Sequence, residues 1–167
     1  QIIRIMVKER LLSSIIKESM YIHHGDNVLK IRDMFSRKQQ NTGSQDDKFF
    51  SKYWQVYAWA AIIGFINNKR EVGDSLPHDR SFEFLRIWNG SEMVANSLIL
   101  MAIAKMESDD IEDILNARKI LTVISEYAEG GAKHVLEIRQ TPGMEQKFNY
   151  SDDYFDEIVE RSQDSKG

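Results

Sequence analysis

The stretch that decides the fold is Lys48–Arg70, KFFSKYWQVYAWAAIIGFINNKR. Phe50, Tyr53, Trp54, Tyr57, Ala58, Ala61, Ile62 and Phe65 recur at the i, i+3, i+4 spacing of one helix face. Phe49, Val56, Trp59, Ala60 and Ile63 fill the other side. A helix apolar nearly all round has to be covered on every side by protein or lipid. Lys52 and Gln55 interrupt the run, and Asn67, Asn68, Lys69 and Arg70 end it, short of the ~20 apolar residues that a membrane span needs. The stretch is therefore predicted to be the central helix of a globular core, with no membrane contact. Gly64 within it reads as a point of close approach for a neighbouring helix.

Downstream, Glu92–Met106 is a second nearly all-apolar helix, expected to pack on the first. Asn89 to Glu92 has the form of a capping box for it. Ser108-Asp109-Asp110 caps the next helix, whose buried stripe runs through Ile111, Ile114, Leu121, Ile124 and Ala128. A break is expected near Asn116. Gly130-Gly131 is read as the end of that helix, with about two further turns over Ala132–Gln140. A last short helix is predicted from Ser151 to Arg161, followed by a frayed tail, 162–167.

Upstream, Asp26–Lys38 opens on an Asp-Asn cap and turns Val28, Leu29, Ile31 and Phe35 inward. Lys8–Ile22 reads as a helix ended by His23-His24-Gly25. Gln39–Asp47 is polar and is predicted to be a mobile loop, and Glu71–Ser81 is a second loop. Phe82–Trp88 alternates as a short strand, with the N-terminal segment Gln1–Val7 as its expected partner. The fold class is mostly α: a single helical domain over 1–161, five to seven helices around the two apolar ones, with room for a short two-stranded edge.

The chain has 167 residues and no cysteine, which excludes disulfides, thiolate catalysis and cysteine-bound metals. Its net charge of −4 is unevenly spread. Residues 1–70 hold 12 Lys+Arg against 6 Asp+Glu, and residues 71–167 hold the remaining 10 against 20. Such separation either joins the two halves in the fold or steers a charged partner to one end.

Adjacent His23 and His24 point apart on a helix and cannot share a metal as an i, i+4 pair can, so neither metal nor cofactor is predicted. Clustered acids from Glu107 to Asp113 are explained by capping. A catalytic reading would need a deep cleft gathering Glu126, Glu129, His134 or His78. Met93 and Met101 read as core filling, or alternatively as a partner groove. The basic residues at the ends of the first-half helices, Arg37, Lys38, Lys69 and Arg70, with Arg80 nearby in sequence, have two readings. They are solvated helix ends, or they contact the phosphate backbone of DNA. On the second reading, charge reversal at Lys69 and Arg70 is expected to weaken the contact without changing the melting temperature.

Three runs carry a resemblance: YAWAAIIGFINNKREV (Tyr57–Val72), IWNGSE continuing to LILMAIAKMES (Ile87–Ser108), and ISEYAEGGAKHVLE (Ile124–Glu137). They resemble the small bacterial accessory proteins encoded beside the Dnd DNA-phosphorothioation genes, in particular the fourth of the Dnd-system-associated proteins. The polar insertion at Gln39–Asp47 and the tail after Pro142 depart from that pattern. The resemblance implies a non-enzymatic role in DNA modification and phage defence in the bacterial cytoplasm, with DNA or proteins of such an operon as partners. It supplies no catalytic residues. Lys69, Arg70 and Glu71 are the polar residues of the matching pattern and are the expected contact point. A protein-interaction or oligomerisation module unrelated to DNA is the alternative.

Overall fold

Helix-favouring apolar spacing over the central stretch produces α2, Tyr53–Asn67. Its end is set by Asn68, which takes the left-handed conformation (φ 52°) that Asn tolerates better than most residues. The computed structural model describes residues 9, 15, 20–36, 50–72, 76 and 80–140. Within them the protein is mostly helical. In chain order the elements are β1 (Tyr21–His23), α1 (Asp26–Phe35), α2, β2 (Ser81–Glu83), α3 (Leu85–Gly90), α4 (Glu92–Lys105), α5 (Ile111–Ile114) and α6 (Ala117–Arg139). The segments predicted for Gln1–Val7, Gln39–Asp47 and Ser151–Arg161, and the tail 162–167, lie outside the described residues.

Val56, Tyr57, Ala60, Ala61, Ile63 and Phe65 of α2 are buried, and Trp54 and Trp59 pack half-buried against the same core. Burying each large side chain of this kind contributes about 1.5–3 kcal/mol. The principal partner of α2 is α6, not α4 as the apolar pattern suggested. The reason is steric. A Cβ on Gly131 would fall 1.9 Å from the Ala60 carbonyl oxygen, and one on Gly64 would fall 2.0 Å from that of Tyr127. Gly130 likewise faces the Lys69 carbonyl. The two backbones touch because three glycines leave the space. Gly64 is thus the predicted close-packing point. Gly130-Gly131 instead lies inside α6, which runs unbroken for 23 residues after its Asn116 cap. Phe65 stacks on Tyr127 beside the crossing, with ring centroids 4.3 Å apart.

α4 runs in the same direction as α2. Trp54 near the start of α2 rests on Gly90, just before α4, and Lys105 at the end of α4 reaches Asn68 at the end of α2. The N-cap of α4 is Ser91, whose hydroxyl accepts from the Val94 N–H; Asn89 and Gly90 belong to α3. Likewise, 85–90 is helical rather than strand.

The strand pair differs from expectation. β2 pairs antiparallel with Tyr21–His23, in the register Ile22↔Phe82. Residues 21–23 therefore extend as strand where a helix end was predicted. Their polar groups explain this. The buried Tyr57 hydroxyl donates to the His23 carbonyl at 2.9 Å, and Ser125 Oγ accepts the His23 N–H at 3.2 Å. Both backbone groups of His23 are satisfied by helices on the far side from β2, which an α-turn could not offer.

The start of α1 is also held from a distance. Its N-cap is Gly25, which has no side chain to offer. The buried carboxylate of Glu129 accepts from the N–H groups of Gly25 (3.1 Å), Asn27 (2.9 Å) and Val28 (3.2 Å). An α6 residue thus caps α1 across 101 or more positions of sequence and places a negative charge at the positive end of its dipole. The predicted Asp26-Asn27 cap does not operate.

His24, next in line, is buried beneath Tyr53 and Phe82. Burial first, and the Arg32 guanidinium second, lower its imidazole from the ordinary 6.5 to about 4. The neutral form therefore belongs to the fold and the charged form to the unfolded chain. Stability is complete above pH 6.5 and falls as pH drops from 6.5 toward 4. Linkage puts the loss between pH 7.5 and pH 5 at about 2 kcal/mol. Denaturant unfolding at the two pH values should show this loss, and His24→Phe should remove most of it. An equal slope in the variant would assign the acid sensitivity elsewhere.

Candidate anion-binding cleft

Where the ends of α2 and α4 meet the first turns of α6, the surface opens into a cleft of about 390 Å³. Four cations line it: Arg70 after α2, Lys105 at the end of α4, and Arg118 and Lys119 at the start of α6. Two carboxylates, Glu107 and Asp113, and the hydroxyl residues Ser108 and Thr122 complete its polar wall. Cations exceed carboxylates by two along the lining, in a chain whose net charge is −4.

Each cation is aimed by a specific neighbour. Arg70 Nε donates to Glu126 Oε2 at 2.6 Å, and the Glu126 side chain is only 8% exposed. The Arg70 guanidinium also lies 5.7 Å from the Tyr127 ring centre. Lys105 Nζ sits 5.9 Å from the same ring and donates to Asn68 Oδ1 at 3.1 Å. The Tyr127 hydroxyl shares that acceptor at 3.3 Å. Arg118 donates one N–H to the Tyr21 carbonyl at 3.2 Å, out of the five its guanidinium carries. Lys119 pairs with Asp113 and holds that carboxyl below the usual carboxylate range. Arg70 and Lys105 share the Tyr127 ring, and guanidinium and ammonium groups exposed at a cleft are suited to phosphate, carboxylate or sulfate oxygens.

The position of Arg118 and Lys119 is informative. They occupy the first turn of a 23-residue helix, where the macrodipole favours acids and disfavours cations. The dipole of α6 gives no reason for a basic doublet there.

Of the residues expected from sequence, Arg70 lines the cleft. Lys69 beside it is exposed, and its backbone is packed on Gly130. Glu71 runs along α6: its N–H donates to the Glu126 carbonyl at 3.1 Å and its carboxylate accepts from Lys133 at 2.8 Å. Arg80 pairs with Asp26 at the start of α1 and does not line the cleft. Arg37 and Lys38 lie outside the described residues, as does His78. Sequence reasoning missed Lys105, Arg118 and Lys119. The basic doublet just after the break at Asn116 was the available signal. The structure also changes the expected outcome of reversing Lys69 and Arg70. Such a change leaves the buried Glu126 carboxylate facing a like charge, so stability falls along with any binding.

The carboxylates considered for catalysis are otherwise engaged. Glu126 holds Arg70 and Glu129 caps α1, and neither lines the cleft. Among the described residues no group of three His, Asp or Glu side chains is placed to hold a metal ion, and no helix is long and apolar enough to cross a membrane. No protein-family model matches the chain, and neither a curated protein nor a solved structure is significantly similar to it.

Proposed function

We propose that the protein is a non-enzymatic accessory of a bacterial DNA modification and restriction system, and that it holds the phosphate backbone of DNA in the cleft of Arg70, Lys105, Arg118 and Lys119. One observation carries this reading: three separate elements bring four cations around one open cleft in an acidic chain. Lys and Arg gathered on one surface are what backbone contact requires, and no base-reading element is needed for it. The basic doublet at a helix start supports the reading in that both cations stay at the cleft against the dipole, Lys119 beside Asp113 and Arg118 on the Tyr21 carbonyl. The resemblance to the Dnd-associated proteins supplies the biological setting, and the engaged state of Glu126 and Glu129 favours binding over catalysis.

The double variant Arg118→Glu/Lys119→Glu tests it. Both side chains are exposed, and acids at these positions gain at the dipole what Lys119 loses at Asp113. The melting temperature should stay within about 2 °C of the parent, in line with the small effects of surface charges. Affinity for a labelled duplex at low salt, followed by fluorescence anisotropy, should fall at least about tenfold, the loss expected when two phosphate contacts are replaced by repulsion. Equal affinity in the two proteins contradicts the proposal.

A further inference from the structure

The cleft gathers more donors than a single internal phosphate of DNA can use. Along a strand the phosphates follow one another at about 3.4 Å of helix axis, and each brings one negative charge and two unesterified oxygens. A surface that follows a strand is served by cations set out in a row. Here they converge. Arg70 and Lys105 come from the ends of two helices to one ring, 5.7 and 5.9 Å from the centre of Tyr127. Arg118 and Lys119 close the same cleft from the first turn of α6, where the positive end of the helix dipole adds to the field that an anion meets. At about 390 Å³ the cleft lies near the lower end of pockets that take one small ligand, about 300–1,000 Å³.

The donors are only partly engaged. Among the described residues Arg70 uses its Nε–H on Glu126, and Arg118 uses one N–H on the Tyr21 carbonyl. Each guanidinium carries five N–H groups in a planar fork, and such a fork holds two oxygens of one phosphate. Lys105 gives Asn68 one of its three ammonium hydrogens. Asp113 is partnered by Lys119, which leaves Arg70, Lys105 and Arg118 as the principal donors to an anion.

We infer, on the DNA-binding reading above, that the cleft takes a phosphomonoester: the terminal phosphate of a strand, in preference to the phosphodiesters within it. A monoester has a second pKa of about 6, so at neutral pH it carries nearly two negative charges on three unesterified oxygens. Two guanidinium forks and an ammonium group match that count. A diester, with one charge and two oxygens, leaves part of them unused. Along the lining, four cations exceed the carboxylates of Glu107 and Asp113 by two, the charge of a monoester dianion. A strand end also enters a recess that the middle of a duplex meets only at its rim.

Three internally labelled duplexes of one sequence test it, ending in a 5′-phosphate, in a 3′-phosphate or in hydroxyls only. Binding is followed by fluorescence anisotropy at low salt and about pH 7.5, above the second pKa of a monoester. At least one phosphorylated duplex should bind about tenfold or more tightly than the hydroxyl-ended one, the effect of one further charge-assisted hydrogen bond. Arg118→Lys keeps the charge and removes a fork. It should leave the hydroxyl-ended duplex within about twofold of the parent and cut the end preference at least about threefold. Adenosine 5′-monophosphate offers the same group without a strand. As a competitor it should require at least about a tenfold higher concentration than unlabelled phosphorylated duplex, because the flanking phosphates are missing. Equal affinity for all three duplexes overturns the inference and leaves duplex binding by the cleft in place. No binding to any of them overturns the reading it rests on, and the inference with it. An end preference that Arg118→Lys leaves whole overturns the assignment to this cleft, and adenosine monophosphate competing as well as the phosphorylated duplex overturns the strand end as the source of the phosphate.

Discussion

Gly131→Ala is expected to destabilise the fold by about 4 kcal/mol, although alanine is the better helix former by about 1 kcal/mol. The added Cβ would stand 1.9 Å from the Ala60 carbonyl oxygen, 2.6 Å from the Gly64 nitrogen and 2.9 Å from the Ala60 carbonyl carbon. All three are backbone atoms of α2, so no side chain can swing aside. The helices must part, and the core around Tyr57, Ala61 and Ile124 loosens with them. In a chain of this length the melting temperature should drop by about 10 °C. Gly64→Ala meets the Tyr127 carbonyl at 2.0 Å and should cost a similar amount. Both substitutions force open the same gap, so the double variant should cost clearly less than the sum of the two. Thermal unfolding of the three proteins measures this. A neutral or stabilising Gly131→Ala would mean that α2 and α6 do not touch.

The second large effect is Glu129→Ala. The substitution leaves the amides of Gly25, Asn27 and Val28 without their acceptor, two of them in buried residues. Each stranded donor costs about 1–3 kcal/mol, and the charge at the dipole is lost as well. The total should be about 4 kcal/mol. Glu129→Gln keeps one acceptor oxygen of the same shape and should lose about half as much. Hydrogen exchange locates the damage: the amides of α1 should lose protection before those of α6. A change below about 1 kcal/mol in Glu129→Ala, small against the cost of even one buried unpaired donor, would show that α1 does not depend on this cap.

Both effects concern residues whose importance the sequence hides. The central helix was legible because its signal is local: fifteen residues of apolar spacing bounded by polar ones. The break at Asn116 was legible for the same reason, through a capping side chain three residues from the N–H it accepts. Gly130-Gly131 was not, because glycine pairs end helices more often than they cross them. Only the presence of Ala60 and Gly64 opposite makes the pair a packing device. Nor could Glu129 be read as a cap, since its three donors lie more than 100 positions upstream. The strand at Tyr21–His23 depends in the same way on Tyr57 and Ser125.

The cleft follows the same division. Arg70 was found because it directly follows the central helix. Lys105 joins it over the Tyr127 ring, and Arg118 and Lys119 join it only because α4 ends where α6 begins. The glycine crossing sets that ring, since Tyr127 is the residue whose carbonyl abuts Gly64. Packing at the core and placement of charge at the surface are therefore one arrangement.

The salt dependence of duplex binding tests this account most directly. Four cations meeting phosphate should release counterions with a slope of log K against log salt of about −3 to −4, at roughly −0.9 for each contact. The slope in Arg118→Glu/Lys119→Glu should be shallower by about two. A parent protein that shows no duplex binding at low salt, or whose binding does not change with salt, contradicts it.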